Sequence, residues 1–110
     1  MEIKIKFVEK VGRDIIAFLS DISKNDCTRP ISESWLRKIS ERDVFFIAFV
    51  KDIPIAFAAV DPWFKYDKEG IELDIISVRK EFQRKGIGKK LMENVEKYAK
   101  KLGKNMFIFL

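Results

Sequence analysis

The sequence predicts an α/β (α+β) domain: a mixed, mostly antiparallel sheet flanked by helices. Two observations predict it. Segments of strand character and segments of helical periodicity follow the order strand, helix, helix, strand, strand, strand, helix, strand. Three consecutive strands with short connections form an antiparallel meander, and a strand–helix–strand ending forms a parallel pair joined by a helical crossover.

Each element has its own signal. Ile3, Ile5 and Phe7 alternate with Lys4 and Lys6, the pattern of a half-buried strand. From Asp14, the residues Ile15, Ile16, Phe18, Leu19 and Ile22 recur at helical spacing. SKNDCTRP is a loop closed by Pro30. Ser32 is an N-cap for a short second helix with Trp35, Leu36 and Ile39 on one face. DVFFIAFV and IPIAFAAV are buried strands across a tight Lys51-Asp52 connection, with Pro54 near a strand start, where a missing ladder donor is tolerated. DPWFKYDKEG is turn chemistry, and IELDIISV is the next strand. Ile87, Leu91, Val95, Tyr98, Ala99 and Leu102 mark one stripe of a long helix that Gly103 stops. NMFIFL is the last strand.

Composition narrows the function classes. At 110 residues, one domain covering residues 1–110 is expected. Hydrophobic residues make up 47% and charged residues 35%, a globular balance, and no apolar run reaches the roughly 18 residues of a membrane span. The N-terminus lacks the apolar centre of a signal peptide, which points to the cytoplasm and away from a membrane. A net charge of +5 permits phosphate-bearing ligands, nucleic acid or anionic lipid and selects none of them. The absence of histidine removes the commonest zinc ligand and general base, so no metal site is expected. The single cysteine, Cys27, has no histidine to activate it and is read as an ordinary thiol.

The stretch VRKEFQRKGIGKKLM, residues 78–92, carries the chemistry. An apolar strand runs into a loop and the loop opens a helix. The first N–H groups of a helix lack internal partners, and the helix dipole favours negative charge beside them. Gly86 and Gly88 remove side chains that would hold a phosphate off the backbone, and Arg84, Lys85, Lys89 and Lys90 add cations around it. This is a diphosphate cradle. A P-loop needs glycine at position 83 and Ser or Thr at position 90, where Gln83 and Lys90 stand. A dinucleotide fingerprint needs a third glycine at position 91, where Leu91 stands.

What is left is Gln-x-x-Gly-x-Gly after an apolar strand. This resembles the signature loop of the GNAT superfamily, the acetyl-CoA-dependent N-acetyltransferases. The motif resemblance spans roughly residues 70–110, with Lys80 where the family usually carries proline, and upstream it is one of element order. The resemblance implies a GNAT-like fold, acetyl-CoA as cosubstrate and an amine as acceptor. It places the CoA diphosphate on Gln83, Arg84, Lys85, Gly86, Ile87, Gly88 and Lys89, and the pantetheine arm beside Ile76, Ser77 and Val78. The Ile76 N–H would polarise the thioester carbonyl. Glu72 matches a strand position that is a catalytic glutamate in some family members, and Asp74, two residues on, is a second candidate base on the same strand face.

The resemblance also sets expectations for the C-terminal end. The family continues into a further helix and two more strands, which carry a tyrosine acid. That segment is expected to be missing after Leu110, and Tyr66 and Tyr98 do not match the tyrosine. An apolar last strand then calls for a covering, and a homodimer through Met106 to Leu110 is the expected one. The acceptor site falls around Ser23 to Trp35; Trp63, Phe64 and Tyr66 either line it or cap the core. Two alternatives stand beside the enzyme: a noncatalytic CoA-binding or assembly module, and a small basic nucleic-acid binder. The second is disfavoured because acids are mixed with the basic residues along the chain.

Overall fold

A computed structural model describes residues 2–26, 31–62, 70–103 and 105–108. Along the chain run β1 (Lys4–Val8), α1 (Arg13–Asp26), α2 (Glu33–Ile39), β2 (Val44–Val50), β3 (Ile53–Asp61), β4 (Gly70–Val78), a 3-10 turn (Lys80–Phe82), α3 (Ile87–Lys101) and β5 (Asn105–Ile108). The strands form one sheet in the order β1-β2-β3-β4-β5. Neighbours are antiparallel except β4 and β5, which are parallel across the α3 crossover. The fold is the mixed, mostly antiparallel sheet that the element order predicts.

Period-2 alternation gives the sheet two apolar faces. On one face Phe46, Ala58, Val60, Ile71 and Leu73 pack against Ile87, Leu91, Val95 and Ala99 of α3. On the other, Phe45, Ile47, Phe57, Ala59 and Ile75 pack against Ile16, Leu19 and Ile22 of α1 and Leu36 and Ile39 of α2. Helices therefore cover both faces, and the strand ends and loops are left to carry chemistry.

The local signals act as their chemistry requires. Ser32 Oγ accepts the Trp35 N–H at 3.2 Å and caps α2. Lys51 and Asp52 take the left-handed φ values of 49° and 66° that a two-residue hairpin turn needs. Pro54 sits opposite Phe49, where the β2–β3 register shifts, so the ladder loses little by its missing N–H. Gly103, at φ 68°, ends α3.

Phe7 of β1 and Ile53 of β3 are exposed at 44% and 55%, and two residues of the expected helical stripes also face solvent. Phe18 is 50% exposed. It lies about 100° around α1 from Leu19, which centres the buried face. Leu102 is 44% exposed. It follows the last residue of α3 as the C-cap, so helical periodicity no longer aims it at the sheet. Tyr98 packs as expected, with Phe7 and Phe46 rings 5.2 and 5.7 Å from its own. Cys27, Pro30, Trp63, Phe64, Tyr66 and Leu110 lie outside the described residues.

β5 forms one edge of the described sheet. Among the described residues no helix is long and apolar enough to cross a membrane.

Candidate functional site

The β4–α3 connection is built around its own backbone bonds. Arg79 N–H donates to Ile55 O at 2.8 Å, which ties the end of β4 to β3. The chain then tightens through Phe82 N–H to Arg79 O at 2.8 Å and Gln83 N–H to Lys80 O at 3.2 Å. The Gln83 side chain turns back and donates from Nε2 to the Val78 carbonyl at 2.9 Å. Gln83 thus braces the loop. Lys85 Nζ stands 5.7 Å from the centre of the Phe82 ring, a cation–π distance. Arg84 and Gly86 both take left-handed φ values, 62° and 79°. These are the turns by which the chain reverses from strand to helix.

Helix α3 begins in a way that the protein alone does not account for. Its N-cap is Gly86, which supplies no side-chain cap, and its first turn holds no acid. The first-turn residues are Ile87, Gly88, Lys89 and Lys90. Lysines there oppose the helix dipole, and a glycine N-cap gives up roughly a few tenths of a kcal/mol against a side-chain cap. Gly88, the second residue of α3, is also a weaker helix former than alanine. The fold does not demand that glycine. A Cβ on Gly88 would meet Val78 Cγ2 at 4.0 Å, an ordinary contact, and its φ is not in the left-handed region. An uncapped, basic, glycine-softened helix start is a poor helix start and a good anion site.

Carboxylates gather at the other end of β4. Glu72 lies near the strand start and Val78 at its end, about 20 Å apart at roughly 3.3 Å per residue. Asp61, the last residue of β3, is directly opposite Glu72. The β3–β4 register then shifts: Val60 pairs with Leu73 and Ala59 with Ile75, so Asp74 is the extra residue of a β-bulge. Asp43, one residue before β2, and Arg42 complete the group. Arg42 holds three of the acids, with Nε 3.2 Å from Asp43 Oδ1 and 3.4 Å from Asp61 Oδ2, and with its terminal nitrogen 3.4 Å from Asp74 Oδ2. Among the described residues no group of three or more His, Cys, Asp or Glu is arranged to hold a metal ion.

The electrostatics follow from crowding. Burial pushes the Asp43 carboxyl up to about 9, helped by its hydrogen bond to Asp74 and by that group's charge; Arg42 pulls the other way. Burial also raises Glu72, with the charge of Asp74 next in importance and Asp61 after it. Asp43 Oδ2 is sealed from solvent and meets no donor among the described residues.

The residues singled out in the sequence thus fall into two groups on one strand and its loop. Arg84, Lys85, Gly86, Ile87, Gly88 and Lys89 form the helix start. Ile76, Ser77 and Val78 run along β4 opposite Ala58, Phe57 and Ala56. Ile76 and Val78 pack toward the α3 core. Ser77 is only 5% exposed, and its Oγ has no partner among the described residues. Glu72 and Asp74 lie close enough for the charge of Asp74 to act on Glu72. Sequence reasoning missed Arg42, Asp43 and Asp61. Their one signal is that acids fall at the ends of strands that the meander places side by side.

The sequence pattern of the acetyltransferase (GNAT) family matches residues 13–110. No curated protein sequence matches the chain. Among solved structures, the ribosomal-protein-S18-alanine N-acetyltransferase from Escherichia coli superposes with a TM-score of 0.83 at 20% identity, over 97% of this chain and 66% of that one. A putative GNAT acetyltransferase from Desulfovibrio desulfuricans gives 0.82 at 14% identity, over 97% and 72%. The paia N-acetyltransferase from Thermoplasma acidophilum, solved in complex with coenzyme A, gives 0.74 at 21% identity, over 100% and 80%. This chain therefore spans just under two thirds of the Escherichia coli enzyme. At such identities the structures speak for the fold alone. The family pattern, which covers all but the first 12 of 110 residues, places this chain in the acetyltransferase (GNAT) family.

Proposed function

We propose that this chain binds acetyl-CoA along β4 and the start of α3 and transfers its acetyl group to an amine. The observation that carries the reading is Gly88: it weakens the helix, no contact among the described residues requires it, and it stands at a basic helix start with no side-chain cap. A ligand diphosphate against that backbone gives the glycine a reason. The N–H groups of the segment from Arg84 to Lys89 would hold the diphosphate, with the lysines completing the charge. Gln83 would act by holding the loop to Val78. Ile76, Ser77 and Val78 would lie beside the pantetheine arm, with the Ile76 N–H toward the thioester carbonyl.

Acetyl-CoA supplies an activated acetyl thioester. In the transfer the ammonium first gives one proton to a base; the amine nitrogen then bonds to the acetyl carbon, the carbon–sulfur bond breaks, CoA leaves as the thiolate, and the proton that nitrogen sheds on becoming an amide ends on that sulfur. Glu72 is the base in this reading. Its raised proton affinity makes it a better proton acceptor than an ordinary carboxylate. Asp74 is its neighbour and the second candidate. The acidic end of β4 also favours the approach of a protonated amine over a neutral or anionic acceptor. β5, as a sheet edge, is the proposed contact for a second copy, which sedimentation across a concentration series would detect.

The test is thiol release from acetyl-CoA in the presence of a panel of amines and peptide N-termini. Amine-dependent release supports the enzyme. Tight acetyl-CoA binding with no release from any acceptor would instead support a noncatalytic CoA-binding module.

A further inference from the structure

Asp43 is a buried acid with an unmet need. It is 1% exposed, and its backbone is pinned by its N–H to Ile39 O at 2.7 Å. Oδ1 accepts from Arg42 Nε at 3.2 Å. Oδ2 is sealed and faces no donor among the described residues. The group beside it is another acid, Asp74, on the bulge of β4. Two carboxyl groups so placed cannot both be ionised without a large electrostatic cost, and a proton between them satisfies the oxygen that has no donor. Arg42 cannot fill that role, because it is already spread over Asp43, Asp61 and Asp74. Asp74 in turn lies two residues from Glu72 on β4 and acts on it through its charge, and Asp61 faces Glu72 from β3.

We infer that Asp43 is a positioning residue for acetyl transfer: it keeps a proton and donates it as a hydrogen bond to Asp74, which holds Asp74, and through it Glu72, in place for the acceptor amine. The proton is retained, not consumed; the one released by the ammonium goes to Glu72. The inference rests on the reading of Glu72 as the base. It adds that the site has a neutral acid beneath it and fails when that acid ionises. Arg42, Asp61 and Asp74 are the charged groups that act on Asp43, and both acids oppose its ionisation.

The test compares Asp43→Asn with Asp43→Ala. Asparagine copies a protonated aspartate in shape and can donate from Nδ2 without ionising. Acetyl transfer to an amine that the wild type accepts is followed from pH 6 to 10, with acetyl-CoA affinity measured in parallel. The expected results are an alkaline fall in wild-type kcat that is absent in Asp43→Asn, a neutral-pH kcat for Asp43→Asn within about threefold of wild type, and at least a tenfold lower kcat for Asp43→Ala at unchanged acetyl-CoA affinity. An Asp43→Asn profile identical to the wild type, or an Asp43→Ala variant as fast as wild type, would overturn the inference. Urea midpoints of the same proteins at pH 6 and 9 decide whether Asp43 keeps its proton even if no amine is turned over. A midpoint that drops with pH in the wild type and less in Asp43→Asn supports the proton, and equal drops overturn it. Absent turnover with a normal urea result would locate the failure in the activity reading, not in Asp43.

Discussion

The Gln83 side chain donates to the Val78 carbonyl at 2.9 Å and so fastens the β4–α3 loop to the end of the strand it leaves. The bond is exposed, and its loss should cost little stability, about 0.5–1.5 kcal/mol. Its role is to keep the loop in shape before a ligand arrives. Gln83→Ala should therefore lower acetyl-CoA affinity by about threefold to tenfold, while the thermal midpoint moves by only a few degrees. Isothermal calorimetry with a parallel melt checks it, and a large stability loss with unchanged affinity would reverse the assignment.

Gly86 differs from Gly88 in what it needs. At φ 79° it holds a left-handed conformation, with open space where a Cβ would go. Gly86→Ala should cost about 1 kcal/mol of stability through backbone strain, with no clash. Chemical denaturation measures this directly. A neutral effect would mean that the turn relaxes to another backbone path.

Glu72→Gln should lower kcat by at least tenfold and leave acetyl-CoA affinity within twofold of wild type. The residue lies about 20 Å along β4 from the loop, too far to touch a diphosphate bound there. If the variant turns over like wild type across pH, Asp74→Asn is the next candidate to test.

Stability should fall as pH rises because of Asp43. Its proton is held in the fold up to about pH 9, well above the ordinary carboxylate value of 3.8, so the folded state binds a proton that the unfolded chain has released. Between those values each pH unit then costs up to about 1.4 kcal/mol, and Glu72, also raised, adds in the same direction. Asp43→Asn removes the larger share. Urea denaturation from pH 5 to 9 should give a visibly smaller slope for that variant.

Much of the fold was legible because local chemistry and tertiary need coincide. Ser32 caps, Lys51-Asp52 turns, Gly103 stops, and the continuous apolar runs of β2 and β3 and the apolar period of α3 match their burial. Phe18 and Leu102 misled because a stripe read from spacing does not say where its edge lies. The basic loop was legible for a different reason: its glycines and lysines are contiguous. The acidic end was half legible. Glu72 and Asp74 are close in sequence, but Asp43 and Asp61 join them only through strand pairing, and the β-bulge at Asp74 leaves no mark in the pattern.

The central claim is that the backbone at the start of α3 binds the diphosphate of acetyl-CoA. Gly88→Val tests it most directly: the nearest atom to a Cβ at that position is Val78 Cγ2 at 4.0 Å, an ordinary contact. Titration of acetyl-CoA into wild type and Gly88→Val by isothermal calorimetry, with circular dichroism to verify the fold, is the measurement. The account predicts binding to the wild type and an affinity at least tenfold lower in the variant, about 1.4 kcal/mol or more, with the fold kept. Equal affinities in two folded proteins would contradict it.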